Sequence, residues 1–123
     1  MSRDRYFHKL DDPAAGIARE LAPGMRARIF TGGRLMLSVV TADPHAEGPV
    51  HSHPEEQWGL LLDGSGIRIQ DGQDFFVQAG DFWHTPPGMP HGFRAGTRGA
   101  RILDIFSPPR TAYRNPEEDF GGR

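Results

Sequence analysis

Six histidines stand at positions 8, 45, 51, 53, 84 and 91, and their spacing matters more than their number. His51 and His53 are separated by one residue. On an extended strand, side chains at i and i+2 point the same way, so both imidazoles can reach one metal ion while Ser52 faces away. Taken alone, such a pair is as readily two solvated side chains. Gln57 opens the next apolar run with a side-chain amide, and His91 follows the stiff turn Pro86-Pro87-Gly88-Met89-Pro90, so the four make a spaced set. The chain has no cysteine. Disulfides, thiolate metal sites and cysteine nucleophiles are therefore excluded together, and a bound metal must use histidine, carboxylate or amide ligands.

Two further residues carry chemistry. Asp104 interrupts the apolar run Ile102-Leu103-Asp104-Ile105-Phe106 and shares a face with Ile102 and Phe106. A carboxylate on a buried face is costly unless it is partnered or protonated. Inside a barrel it would serve proton transfer, and at a sheet edge it would pair with Arg94 or Arg101. Arg110 follows Pro108-Pro109 and can present a fixed guanidinium fork to a carboxylate, or stand as ordinary surface charge. Phe106 reads as a pocket wall or as core. Of the other histidines, His84 reads as packing or pocket lining, and His8 and His45 as solvated loop residues. Trp58 and Trp83 read as packing residues. Glu55 shares the strand parity of Gln57 and could replace it as a ligand, whereas Glu56 lies on the opposite face.

The elements that must position these groups are short. The 123 residues include 16 glycines and 11 prolines, recurring from Gly24 to Pro109 and separating runs rich in Val, Ile, Leu and Phe. This is the pattern of an all-β barrel or sandwich. Strands are expected at 26–30, 35–41, 57–62, 66–70, 75–77, 81–85, 91–95 and 100–106, with turns at Asp63-Gly-Ser-Gly and Ala95-Gly-Thr-Arg-Gly among others. The one helix expected is short and follows Asp12, with Pro13 in its first turn and Gly24 beyond its end. Residues 1–24 thus read as an N-terminal arm, 25–112 as the β-domain and 113–123 as a polar tail, frayed from Asn115. In 57–62, Gln57, Gly59 and Leu61 share one face and Trp58, Leu60 and Leu62 the other. Both faces are substantially apolar, so the second needs a cover, either the N-terminal arm or, as the favoured expectation, a second copy in a homodimer.

The charge is nearly balanced, with a formal net value of −2 and no block of like charges, which gives no footprint for nucleic acid or anionic lipid. No apolar run approaches the roughly 18 residues of a membrane span, and the first residues lack a signal peptide's apolar stretch. A cytoplasmic protein acting on a small molecule is expected.

Two segments resemble the paired motifs of the cupins. In 51–64, His51-Ser-His53-Pro-Glu-Glu-Gln57-Trp-Gly-Leu-Leu-Leu-Asp-Gly64 resembles the first, with Gln57 where an acid usually stands. In 80–91, Gly80-Asp-Phe-Trp-His-Thr-Pro86-Pro-Gly88-Met-Pro-His91 resembles the second. The second motif's trailing Asn is absent, its place held by Ala95, and His45 stands where the first motif has a Gly. The resemblance implies a double-stranded β-helix, the jelly-roll-like cupin barrel. Over nearly the whole chain, including Glu20-Leu-Ala-Pro-Gly-Met-Arg-Ala-Arg28 and Leu103-Asp104-Ile-Phe106-Ser-Pro-Pro-Arg110, the sequence is similar to the pectin-degradation cupins of the KdgF type. These ketonise unsaturated uronates released by polysaccharide lyases. That resemblance implies one divalent metal held by His51, His53, Gln57 and His91, with Asp104, Phe106 and Arg110 acting on the substrate.

Three neutral imidazoles and a neutral amide would leave a divalent ion with its full +2 charge. Such a site favours Lewis-acid chemistry over an Fe(II)/Fe(III) cycle, which an anionic ligand supports. Zinc, nickel or iron all suit the donors. With the substrate that the resemblance implies, the expected reaction is non-redox conversion of a 4,5-unsaturated uronate to the 5-keto-4-deoxyuronate. The rivals are a cupin polyketide cyclase with Phe93, Trp83 and Met36 lining its pocket, a metal-dependent dioxygenase, and a non-catalytic sugar-binding cupin.

Overall fold

The computed structural model describes residues 6–114, which form eight strands and one short helix: β1 (Ile17–Ala22), β2 (Met25–Thr31), β3 (Met36–Ala42), β4 (Glu47–His51), β5 (Glu56–Gln70), β6 (Gln73–Gln78), β7 (Phe82–Thr85), β8 (His91–Ser107) and α1 (Thr111–Arg114). All pairings are antiparallel, along the path β1-β2-β3-β8-β5-β6, with β4 added to β8 and β7 to β5. The long strands β5 and β8 pair with each other along most of their lengths. Their outer ends serve different neighbours: β5 takes β7 at 57–60 and β6 at 65–70, while β8 takes β4 at 91–94 and β3 at 100–106. Two long strands thereby join both layers of the double-stranded barrel, as the all-β expectation requires.

Several expected turns are bends within strands. Asp63-Gly64-Ser65-Gly66 does not end β5 but carries two register shifts against β8, between Leu61 and Asp63 and between Gly64 and Gly66. Gly64 adopts φ +85°, a conformation that a Cβ disfavours, and an added Cβ would also meet the Gly99 carbonyl oxygen at 2.1 Å. The first of the two shifts is a one-residue bulge on β5 and moves that strand's inside-outside alternation by one residue, whereas at the second the extra residues lie on β8. The inward set therefore changes from Gln57, Gly59 and Leu61 to Gly66 and Arg68. Gly59 has a separate role, because the Trp83 indole lies where its Cβ would be.

The helix expected after Asp12 is not formed. The segment Ile17–Ala22 is strand β1, in register with β2 from Ile17↔Ile29 to Glu20↔Arg26. A free β2 edge offers a ladder of backbone partners, and that outweighs the local capping signals. The arm is thus part of the sheet rather than a separate piece. Helix α1 instead follows β8, so Tyr113 and Arg114 of the expected tail are structured. The rest of that tail, from Asn115, lies outside the described residues.

The core fills the barrel with Ile29, Met36, Val40, Leu61, Ile102 and Phe106. Residues just before β1 dock on the outer surface, where Arg28 donates to the carbonyls of Leu10 and Asp12 and Arg101 donates to the Asp11 carboxylate. Asp11 and Pro13 of this segment thereby line an arginine-rich outer cleft together with residues of β1, β2 and β3. It leaves Trp58 and Phe82 on the β5–β7 outer face 46% and 68% exposed. Among the described residues, no helix is long and apolar enough to cross a membrane.

Candidate metal centre

Strand register gathers the functional side chains at one end of the barrel. His51 at the end of β4 pairs directly with His91 at the start of β8, and Gln57 at the start of β5 lies between Phe106 of β8 and Thr85 of β7. Asp104 is opposite Gly59, one inward position along from Gln57. His53, in the bend after β4, completes a group in which one nitrogen from each of three imidazoles lies within 4.8 Å of the others.

Their orientation follows from the outer ring nitrogens. Nδ1 of His51 donates to the Pro49 carbonyl at 2.9 Å, Nδ1 of His91 to the Met89 carbonyl at 2.9 Å, and Nδ1 of His53 to the Glu55 carbonyl at 3.1 Å. A carbonyl can only accept, so each neutral ring carries its lone pair on Nε2. His51 Nε2 is buried without a hydrogen-bond partner. Gln57 adds a sharper constraint. Its Nε2 donates to Asp104 Oδ1 at 3.1 Å, which leaves Oε1 facing His53 Nε2 at 2.9 Å. With Asp104 ionised, two acceptors thus face each other, an arrangement that a cation between them resolves. The donors present fit a divalent metal ion, and His51, His53, His91 and Gln57 are the residues that would hold it.

Burial lowers all three imidazoles, His51 to about 4 and His91 to about 3, so they remain neutral and able to ligate at pH 7. The same burial raises Asp104 to about 6, against the opposing pull of Arg68, the Gln57 hydrogen bond and Arg110. These shifts have a stability consequence for the metal-free protein. The lowered histidines contribute stability that is complete above 6.5 and is lost as pH falls through their folded values, because the unfolded chain then binds more protons. Asp104 acts in the opposite sense, contributing stability below 3.8 that is lost as pH rises through about 6. Two strongly shifted histidines against one aspartate leave a net loss approaching about 1.4 kcal/mol per pH unit between pH 6 and 4. The melting temperature of metal-free protein is therefore expected to fall over that range, and a flat or rising profile would contradict these environments.

The remaining expectations are sorted by the same geometry. Asp104 does not sit at a sheet edge with Arg94 or Arg101, since Arg94 pairs with Asp74 and Arg101 with Asp11. Phe106 is core and wall together, edge-on to His53 with ring centroids 5.7 Å apart. Arg110 is not surface charge: it is buried, stacked over Tyr113 at 4.3 Å, and its Nε lies 3.6 Å from Glu55 Oε1. Glu55 reaches the Nδ1 side of His53 at 3.3 Å, which makes it a support for that ring rather than a substitute for Gln57. Glu56 points outward to His84 at 2.7 Å. His84 is correspondingly on the outer face, stacked on a half-exposed Trp58 rather than lining the pocket. Trp58 therefore does not pack in the interior, whereas Trp83 is partly buried against the core. Phe93 lines the cavity, but Met36 is sealed in the core and Trp83 lines an outer cleft instead.

Sequence reasoning missed Arg68. It lines the same cavity, buried, with Nη2 donating to Thr85 Oγ1 at 2.8 Å and Nε donating to Gln70 Oε1 at 3.1 Å. The run Ile67-Arg68-Ile69 reads as apolar-in and charge-out, and only the bulge between Leu61 and Asp63 upstream inverts it.

The Cupin_2 family, described as the cupin domain, matches residues 38–106. The chain is a cupin. Among solved structures, this cupin is similar to KdgF from Halomonas sp., with a TM-score of 0.71 and 27% identity over 76% of this chain and 87% of that one. It is similar too to an RmlC-like cupin from Shewanella frigidimarina NCIMB 400, with a TM-score of 0.73 and 28% identity over 81% and 90% of the two chains. Among curated proteins, oxalate decarboxylase OxdC of Bacillus subtilis is 37% identical over 68 residues, 51% of this cupin. Quercetin 2,3-dioxygenase of the same organism is 25% identical over 96 residues, 77% of this cupin. The matched segments span only 18% and 28% of those two enzymes.

Proposed function

We propose that this cupin is a metal-dependent, non-redox enzyme that opens and ketonises 4,5-unsaturated uronates to 5-keto-4-deoxyuronates in the breakdown of pectin or alginate. The observation that carries this reading is the placement of Asp104 inside the cavity, hydrogen-bonded to Gln57 and sharing the space with Arg110. A carboxyl raised to about 6 can both accept and return a proton near neutrality. The similarity to the Halomonas KdgF supports the substrate class.

Arg110 binds the substrate carboxylate, its fork held by the Tyr113 and Phe106 rings. Asp104 takes the proton of the hemiacetal hydroxyl. The C1–O bond to the ring oxygen breaks, a carbonyl forms at C1, and the former ring oxygen becomes the C5 enol oxygen. Asp104 returns the proton to C4 as C5 becomes a ketone, so atoms and oxidation level are unchanged. A divalent ion on His51, His53, Gln57 and His91 would supply Lewis acidity toward the substrate oxygens. An all-neutral ligand set favours this over oxygen activation. The uncovered apolar stripe of Trp58, Leu60 and Phe82 supports a homodimer formed through the β5–β7 outer face.

The test adds metal-quantified protein to freshly lyase-generated unsaturated uronate and follows the enol-ether absorbance and the proton NMR spectrum. Loss of absorbance faster than the spontaneous rate, abolished by chelation, is expected. Loss at the spontaneous rate with one metal bound per chain would overturn the substrate assignment.

A further inference from the structure

Arg68 has no role in the mechanism above, yet it is one of three charged side chains that line the cavity, with Arg110 and Asp104. It is only 6% exposed. Two of its nitrogens are fixed by Thr85 and Gln70, and its guanidinium lies 5.3 Å from the Trp83 ring centroid. Gln70 in turn accepts from Thr85 at 2.8 Å and donates to the His84 carbonyl at 2.8 Å, so the holder is itself held. Both groups that hydrogen-bond Arg68 are neutral. Among the described residues it forms no ion pair, and the Asp104 hydrogen bond goes to Gln57 instead. Asp104 is the anion whose charge reaches Arg68, but no hydrogen bond joins the two. Burying a cation on neutral partners is expensive, and a chain that merely needed volume here could use Met or Leu. A rigid guanidinium beside the imidazole cluster is what an anion-binding site requires. Arg110 comes from the segment after β8 and Arg68 from the far half of β5, so the cavity offers two separate guanidinium groups against a single lining carboxylate.

We propose that Arg68 is a second anion-binding residue of this cavity, and that the ligand is a small organic acid with two oxyanion functions, one received by Arg110 and the other by Arg68. The second function is either a further carboxylate or an enolate oxygen that develops during turnover, and the latter form rests on the uronate reading. Two experiments separate these sources. In the first, zinc-loaded protein is titrated calorimetrically with malonate and with acetate. Arg68→Met is expected to weaken malonate by about 10–100-fold while leaving acetate and zinc stoichiometry unchanged. Arg110→Met should weaken both anions. Malonate affinity within about twofold of wild type in a folded, zinc-replete Arg68→Met protein would overturn the proposal. Should that variant not fold, Thr85→Val removes the acceptor of Nη2 at nearly constant volume, and the same selective loss of malonate is expected. In the second, the uronate is the substrate. A fall in kcat at constant KM in Arg68→Met assigns the developing enolate, and uronate kinetics left unchanged beside a selective loss of malonate assign a second carboxylate on another acid. Absence of uronate turnover in wild type would sink the substrate reading alone, because the malonate titration does not depend on it.

Discussion

Replacing Asp104 by asparagine is expected to lower uronate turnover by about 10²–10⁴-fold, the range for loss of a positioned general acid–base, with metal affinity essentially retained. The distinction between asparagine and alanine carries the argument. Asp104 has two duties in this geometry: it holds the proton, and its Oδ1 accepts from Gln57 Nε2 at 3.1 Å, which turns Gln57 Oε1 toward His53. Asparagine keeps an acceptor in place and removes only the titratable proton. Alanine removes both, frees the amide to rotate, and should weaken metal binding by a further factor of about 10–100, as outer-sphere changes do. A third readout is independent of catalysis. The carboxyl raised from 3.8 to about 6 destabilises the metal-free fold at pH 7, so asparagine should raise its stability by up to about 3 kcal/mol. Metal titration, thermal melting and the uronate assay on the two variants check all three. Turnover by Asp104→Asn near the wild-type rate would remove Asp104 from proton transfer.

The same bridge explains why an amide stands at 57. A glutamate there would set a second carboxylate against Asp104, and two like charges at hydrogen-bond distance cannot both ionise cheaply. The sequence displays the amide at the right spacing, but nothing in it shows that the amide's other end is occupied. The three clustered histidines and Gln57 were legible as a candidate site because they lie beside strand ends and turns, where His-x-His spacing and the proline turn survive any error in strand length. Arg68 was not, because a one-residue bulge between Leu61 and Asp63 separates it from Gln57 and reverses which alternate residues of β5 face inward. Strand β1 was hidden for another reason. Its local signals, Asp12, Pro13 and Gly24, are those of a helix, and its strand character comes from β2, a partner that only the fold provides. Strand β4 was unread because Gly48 and Pro49 interrupt it; as it pairs only with β8, an interruption is tolerated at that edge.

His51→Ala should abolish specific metal binding while leaving the metal-free protein as stable as wild type or more so. The two halves of this expectation follow from one observation. His51 Nε2 is buried without a hydrogen-bond partner, which costs the metal-free fold about 1–3 kcal/mol. Its ring is lowered to about 4 by burial, so it also penalises the fold as pH falls below 6.5. Alanine removes both penalties at the price of the ring's packing on His91, 4.4 Å away between centroids. In wild type, a divalent ion at 1,000 times its dissociation constant should stabilise the fold by about 4 kcal/mol, and chelation should reverse this. In His51→Ala that metal-dependent rise in melting temperature should vanish. His84→Ala is the matched control, because His84 sits on the outer face bound to Glu56 and should leave the metal response unchanged. A ring kept only for packing would give the opposite pattern: His51→Ala would lower the stability of the metal-free fold and leave the metal response intact. Melting curves with and without metal, at pH 7.5 and pH 5, separate the two.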